Sequence, residues 1–119
     1  MGARFAATTE GRVKEAFAAL AALHARRVSH GDARTANLLL VDGQAQWIDM
    51  RACIEVTADG EALPLERRQQ CDAVDLARSM LFPHPLPPPL EKELRLYSGG
   101  DPGAVEALAQ KVWGALVSS

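Results

Sequence analysis

The chain has 119 residues, of which 48% are hydrophobic and 24% are charged, so it is long enough to bury one core without disulfides. Its formal net charge is −2, which provides no general attraction to nucleic acid or to anionic membranes. We therefore expect a single domain, spanning 1–119, that binds no nucleic acid.

No stretch reaches the ~18 apolar residues of a membrane-spanning helix, and the N-terminus lacks the apolar core of a signal peptide. Cys53 and Cys71 lie far apart in the sequence and form neither a metal-binding pair nor a disulfide framework. We expect two reduced core thiols, no transmembrane segment and a cytoplasmic location.

The first predicted element is a helix from about Thr9 to Arg27. Thr8 or Thr9 can cap its start. We place His24 on the surface of this helix, without a functional role. Apolar residues recur at steps of three and four, which puts them on one helical face: Val13, Phe17, Leu20 and Leu23.

Two short strands are predicted next, over Asn37–Val41 and Ala45–Ile48. Asp42-Gly43 lies between them, and this dipeptide favours a tight hairpin turn. The stretch from about 52 to 64 shows no sustained period.

A second helix is predicted from Leu65 to Leu81. Its proposed inner face consists of Ala73, Leu76, Ala77 and Met80. The proline-rich tract Phe82–Pro89, which includes His84, then ends the helix. We interpret this tract as a rigid connector, and a proline-rich ligand motif is the alternative.

Two more helices complete the predicted fold. One spans about Leu90–Tyr97. The other begins at Asp101-Pro102, with the aspartate as cap and the proline in the first turn. The predicted fold class is therefore α+β, mainly helical, with one small β-hairpin.

A compact polar cluster lies on the loop between the first helix and the hairpin. It contains His30, Asp32 and Asn37, and the second strand ends next to Asp49. Because the hairpin returns the chain, we expect Asp49 to come back close to Asn37. Oxygen ligands of this kind suit Mg²⁺, which prefers carboxylates together with substrate phosphates. The alternative is that the loop residues only cap their own backbone.

The order of these residues resembles the catalytic loop of the protein-kinase-like superfamily, H-[RG]-D-x-x-x-x-N, followed by a strand hairpin and a metal-binding Asp. His30-Gly31-Asp32 is most similar to the corresponding segment of lipopolysaccharide core heptose kinases, aminoglycoside phosphotransferases and atypical bacterial kinases. The resemblance covers about 19–81, and the helical part at 90–118 carries no motif. It implies the C-terminal lobe of such a kinase, with the hairpin carrying the catalytic and metal-binding loops.

The resemblance implies a catalytic or cofactor-binding role for four residues. Asp32 is expected to accept or orient the proton of the substrate hydroxyl, and Arg34 to face the transferred phosphate. Asn37 and Asp49 are expected to hold Mg²⁺ and, through it, ATP.

It implies a supporting role for two others. His30 is expected to tie the loop to the start of the metal-binding segment. Asp72 opens a D-x-x-x-L-[GA] segment and is expected to accept hydrogen bonds from the backbone of the catalytic loop. Met50 and Arg51 depart from the Phe and Gly of the D-F-G pattern.

The implied activity is transfer of the γ-phosphate of ATP to a hydroxyl acceptor, which could be a sugar, a lipid-linked sugar, a small molecule or a protein. A kinase of this type also has an N-terminal lobe with a glycine-rich loop and a strand lysine. Neither is recognisable here, so we expect the chain to be inactive alone and to need such a lobe in trans or a second copy. The missing lobe also predicts an exposed apolar patch near the hairpin and first helix. The alternative function is a non-catalytic kinase-like binding or regulatory module, or a pseudokinase fragment.

Overall fold

The computed structural model describes residues 3–48 and 64–118. Within these ranges the fold is α+β and mainly helical, as predicted. A 3₁₀ turn over Thr35–Asn37 precedes the hairpin. The elements are β1 (Ala3–Arg4), α1 (Glu10–His24), β2 (Leu38–Val41), β3 (Gln44–Trp47), α2 (Leu65–Leu81), α3 (Pro88–Leu94) and α4 (Pro102–Val117).

The first helix, α1, is capped by the second of the two candidate threonines. The Thr9 hydroxyl oxygen accepts a hydrogen bond from the Arg12 backbone N–H at 3.1 Å. The helix ends at His24, three residues before the predicted end, and Arg27 then adopts a left-handed backbone conformation with φ of 63°. The predicted apolar face is confirmed, because all four of its members are buried: Val13, Phe17, Leu20 and Leu23.

The hairpin is also confirmed. β2 and β3 pair antiparallel, with Leu38 opposite Trp47, and β1 pairs with the other edge of β2. Asp42 and Gly43 have φ values of 52° and 80°. Two successive positive φ values are those of a type I′ turn, whose twist matches that of the strands.

The second long helix, α2, has the predicted bounds. Its predicted inner face is buried: Ala73, Leu76, Ala77 and Met80. This helix lies at the centre of the fold and contacts α1, α3, α4 and the 3₁₀ turn, so its buried side can support the loop that precedes the hairpin.

The start of α3 differs from the prediction. The helix begins at Pro88 and ends at Leu94, earlier at both ends than predicted. Prolines are tolerated in a first helical turn because the N–H groups there have no partner within the helix. The proline tract is therefore part connector, with His84 exposed in it, and part helix.

The last helix, α4, begins as predicted. Asp101 caps it by accepting a hydrogen bond from the Ala104 N–H at 3.2 Å. It packs more extensively against α1 than against any other element, and the two helices enclose one side of the core. Among residues 3–48 and 64–118, no helix combines the length and the apolar character that crossing a membrane requires.

The apolar patch predicted near the hairpin and α1 stays a prediction. Apolar side chains of β2 and β3 are only half-buried there, among them Leu40 and Trp47. The most exposed large apolar side chains of the described residues lie elsewhere, at Phe82, Leu96 and Val117.

Candidate functional site

The predicted catalytic loop, His30–Asn37, ends in the 3₁₀ turn and lies against α2. Ala33 is fully buried at its centre. The Thr35 N–H donates to the Ser79 hydroxyl of α2 at 3.0 Å. In the segment between α1 and the loop, the carbonyl oxygens of His24 and Val28 accept hydrogen bonds from the Gln69 amide of α2 at 3.2 and 3.1 Å. The helix therefore holds both the loop and the segment that leads into it.

Asp72 of α2 makes the contact predicted for it. Its carboxylate is buried and accepts the His30 backbone N–H at 2.7 Å and the Gly31 backbone N–H at 3.1 Å. Gly31 has a φ of 87°, a conformation that side-chain-bearing residues rarely adopt. A buried charge is tolerated only when donors surround it, and here two successive loop amides are among the donors.

His30 ties the loop to the end of the hairpin. Its Nδ1 accepts the Asp32 backbone N–H at 3.1 Å, and its Nε2–H donates to the Ile48 carbonyl at 2.9 Å. These two bonds select the neutral imidazole with the proton on Nε2. The ring is fully buried and lies against Trp47, with centroids 5.0 Å apart. Because Ile48 directly precedes Asp49, this is the link that the sequence predicted.

The structure brings Asp32, Arg34 and Asn37 together. The Asn37 amide nitrogen donates to the carbonyl oxygen and to Oδ2 of Asp32, both at 2.9 Å. Neither bond engages Oδ1 of Asn37, which is the atom suited to a metal. The Arg34 guanidinium lies 3.3 Å from Oδ1 of Asp32, but the Arg34 side chain is 55% exposed, so the pair contributes little stability.

The hairpin returns the chain to the loop. The Ile48 N–H donates to the Asn37 carbonyl at 2.8 Å, so the residue before Asp49 is beside Asn37. Asp49 and Cys53 lie outside the described residues, and Cys71 is half-buried. In the part of the chain that the structure describes, no three His, Cys, Asp or Glu side chains form a metal-binding group. The oxygen atoms of Asn37 and Asp32 are nevertheless of the kind that Mg²⁺ prefers.

The prediction that His24 is a surface residue is wrong. Its side chain is buried, and its two ring nitrogens lie 2.8 Å from Oδ2 of Asp72 and 2.8 Å from the Tyr97 hydroxyl. The reason is that α2 and the segment after α3 cover this side of α1. A signal was present, because His24 follows Phe17 and Leu20 at the spacing of the same apolar face.

Tyr97 completes this buried group, and no sequence pattern relates its hydroxyl to His24 or to Asp72. Burial raises the pKa of the Tyr97 hydroxyl, and the nearby Asp72 carboxylate raises it further. The residue follows α3 and packs closely, since a Cβ added to Gly99 would lie 2.8 Å from its hydroxyl oxygen. The Tyr97 hydroxyl is therefore held in its protonated, hydrogen-bonding form.

Comparisons of the chain with protein-family models, with curated proteins and with solved structures give no match. The loop and its supporting contacts therefore carry the functional proposal.

Proposed function

We propose that the chain is the catalytic lobe of a protein-kinase-like, ATP-dependent phosphotransferase. The observation that carries this proposal is the attachment of the His30–Asn37 loop at both ends. The buried carboxylate of Asp72 accepts the loop amides at its start, and the Asn37 carbonyl accepts the Ile48 N–H at its end. A loop held in this way keeps polar side chains in fixed positions, which catalysis by positioning requires.

In the proposed reaction, Asp32 accepts the proton of the acceptor hydroxyl. The acceptor oxygen forms a bond to the γ-phosphorus, the bond from that phosphorus to the bridging oxygen breaks, and ADP leaves with the bond electrons. The Asp32 side chain is 26% exposed, so an acceptor can approach it. The Asn37 amide orients the carboxylate by donating to its Oδ2. The exposed Arg34 is free to move toward the transferred phosphate, where its planar fork matches phosphate geometry.

Asn37, through Oδ1, and Asp49 would hold Mg²⁺, which would neutralise charge on the phosphates of ATP. The hydrogen bonds from the Asn37 amide nitrogen to Asp32 fix the orientation of the Asn37 side chain and leave its Oδ1 for such a metal.

The acceptor is proposed to be a hydroxyl group on a sugar, a lipid-linked sugar, a small molecule or a protein. An N-terminal lobe acting in trans would bring the phosphates of ATP, and a homodimer of this chain is the other proposed assembly. The proposal places the protein in the cytoplasm, where reduced cysteines are usual.

One observation favours the second candidate function, a non-catalytic binding or regulatory module. The Asp32 carboxylate is contacted from within the loop by Asn37 and Arg34. In such a module these contacts would only stabilise the loop, as Asp and Asn commonly do.

Paramagnetic broadening of NMR signals separates the two functions. Mn²⁺ takes the same oxygen ligands as Mg²⁺. Titrating Mn²⁺ with ATP into the labelled 119-residue chain is expected to broaden the amide signals of residues 30–37 and of Ile48 selectively. Broadening detects even weak, transient binding, so it does not require an active enzyme.

Two variants give this experiment its controls. Asp49→Asn is expected to abolish the selective broadening, because it removes a proposed metal ligand. Asp42→Asn is the matched control, since Asp42 is exposed at the hairpin turn away from the loop contacts. Equal broadening in both variants would contradict the metal assignment. No nucleotide-dependent broadening in the unmodified chain would favour the non-catalytic module.

A further inference from the structure

A continuous line of buried hydrogen bonds joins the segment after α3 to the catalytic loop. It runs from the Tyr97 hydroxyl to His24, from His24 to Oδ2 of Asp72, and from the same Oδ2 to the His30 N–H. Tyr97, His24 and Asp72 are 2%, 5% and 2% exposed, so water does not compete for these bonds. The line therefore joins three parts of the chain that lie far apart in sequence, and the Asp72 carboxylate is its link to the loop.

The donors and acceptors along this line have a single consistent direction in the neutral ring. A carboxylate only accepts hydrogen bonds, so His24 Nε2 carries the proton and donates a hydrogen bond to Asp72. In the neutral imidazole Nδ1 is then an acceptor, and the Tyr97 hydroxyl donates to it. Without that hydroxyl, the buried Nδ1 acceptor has no donor, although the Asp72 carboxylate still holds the proton on Nε2.

We propose that Tyr97 and His24 are positioning residues for the catalytic loop, acting through the orientation of the Asp72 carboxylate. The inference rests on the proposed function for its consequence, since the loop it positions is the one proposed to be catalytic. Oδ2 of Asp72 serves His24 and His30 at the same time, whereas Oδ1 serves Gly31. Rotation of the carboxylate therefore breaks the bonds on both sides together.

The surroundings of Tyr97 fix the far end of the line. The Gln70 amide of α2 donates to the Tyr97 carbonyl at 3.4 Å, and the missing Cβ of Gly99 leaves the space that the hydroxyl occupies. An apolar pair of similar volume would fill the same space at a lower desolvation cost. Unlike apolar packing, the hydrogen bonds of Tyr97 and His24 orient the Asp72 carboxylate, and the loop amides need that orientation to donate to it.

The test uses Tyr97→Phe, which removes one oxygen and keeps the ring. Nitrogen-15 spectra of the His24 imidazole report the hydrogen bond that Nδ1 accepts, and native-state amide exchange reports the His30 and Gly31 bonds to Asp72. We expect the Nδ1 resonance to move toward that of an unbonded imidazole nitrogen while Nε2 keeps its proton, and exchange at both loop amides to accelerate at least about tenfold. Core amides of α1 and α2, such as those of Leu20 and Leu76, serve as an internal reference.

The reference separates positioning from a general loss of stability. Val112→Ala removes buried volume from α4 without touching the line, and it is expected to accelerate core and loop exchange alike. Gly99→Ala displaces the Tyr97 hydroxyl without removing it, and it is expected to reproduce the Tyr97→Phe result. Unchanged exchange at the His30 and Gly31 amides in Tyr97→Phe, or equal acceleration of core and loop amides, would overturn the inference.

Failure of this inference is distinguishable from failure of the proposed function. The imidazole and exchange measurements need neither nucleotide nor metal. Selective Mn²⁺–ATP broadening together with unchanged loop exchange in Tyr97→Phe would leave the phosphotransferase proposal intact and refute the positioning role. Accelerated loop exchange without any broadening would do the reverse.

Discussion

Replacing Asp72 by asparagine tests the buried carboxylate that supports the loop. Asn has the shape of Asp but offers one acceptor oxygen and one NH₂ group. The carboxylate accepts three N–H groups, from His30, Gly31 and His24. If the amide oxygen takes the place of Oδ2, the NH₂ group faces the Gly31 N–H, and two donors oppose each other.

The expected loss of stability follows from these contacts. Losing one hydrogen bond to a charged group costs about 1.5–3 kcal/mol, and each of the two remaining bonds weakens when the acceptor becomes neutral. The neutral amide is easier to bury, which offsets part of this cost. We expect Asp72→Asn to lower the free energy of unfolding by about 3 kcal/mol. Domains typically have a free energy of unfolding of about 5–15 kcal/mol, so the variant is expected to remain folded.

Urea denaturation measures the effect. With a slope of about 1–3 kcal/mol per M, the midpoint is expected to fall by between about 1 and 3 M, with the slope unchanged. Asp42→Asn, at the exposed hairpin turn, is the control and is expected to stay within about 0.5 kcal/mol of the parent. If the two variants unfold at the same urea concentration, the Asp72 contacts do not support the loop, and the reasoning is refuted.

Three further predictions concern other parts of the fold. Tyr97 is the one tyrosine, so alkaline absorbance titration reports it alone; burial raises its pKa, and we expect no phenolate in the folded chain near the ordinary pKa of about 10. The unfolded chain loses this proton at a lower pH than the folded chain does. Tyr97 therefore leaves the free energy of unfolding unchanged below about pH 10 and lowers it by up to about 1.4 kcal/mol per pH unit above that pH. Urea denaturation at a series of pH values checks this. Asp101→Ala removes the α4 cap and is expected to cost about 1 kcal/mol in urea denaturation, whereas Gln110→Ala, exposed on the same helix, is expected to have almost no effect. Gly43→Ala places a side chain in open space at a φ of 80°, and this strain is expected to lower the free energy of unfolding by about 1–2 kcal/mol and with it the thermal midpoint. Gly114→Ala, within α4, meets no neighbour and is expected to raise the thermal midpoint.

Much of the local structure could be predicted because it depends on neighbours in the sequence. The burial of Phe17 and Leu20 follows from their helical spacing. The hairpin follows from Asp42-Gly43, whose backbone preferences match the required turn. The start of α3 differs from the prediction because a run of prolines favours a connector, whereas a first helical turn also accepts proline, here at Pro88.

The candidate site was predictable only in part. The order of His30, Asp32 and Asn37 suggested the loop, and the contact from Asp72 to its backbone is present. The catalytic and metal-binding roles stay predictions. The prediction for His24 is wrong because polar residues on helices are mostly exposed, and only a partner brought by tertiary packing allows one to be buried.

The sequence by itself determined the helices, the hairpin turn and the polar loop, because each depends on preferences that act over a few residues. Only the tertiary structure decided where the loop's support comes from. Tyr97 lies 73 positions from His24, and Asp72 lies 48 positions from it, so no local pattern relates them. They meet because α1, α2 and the segment after α3 pack on one core, and a buried carboxylate must find its donors among whatever groups that packing brings within reach.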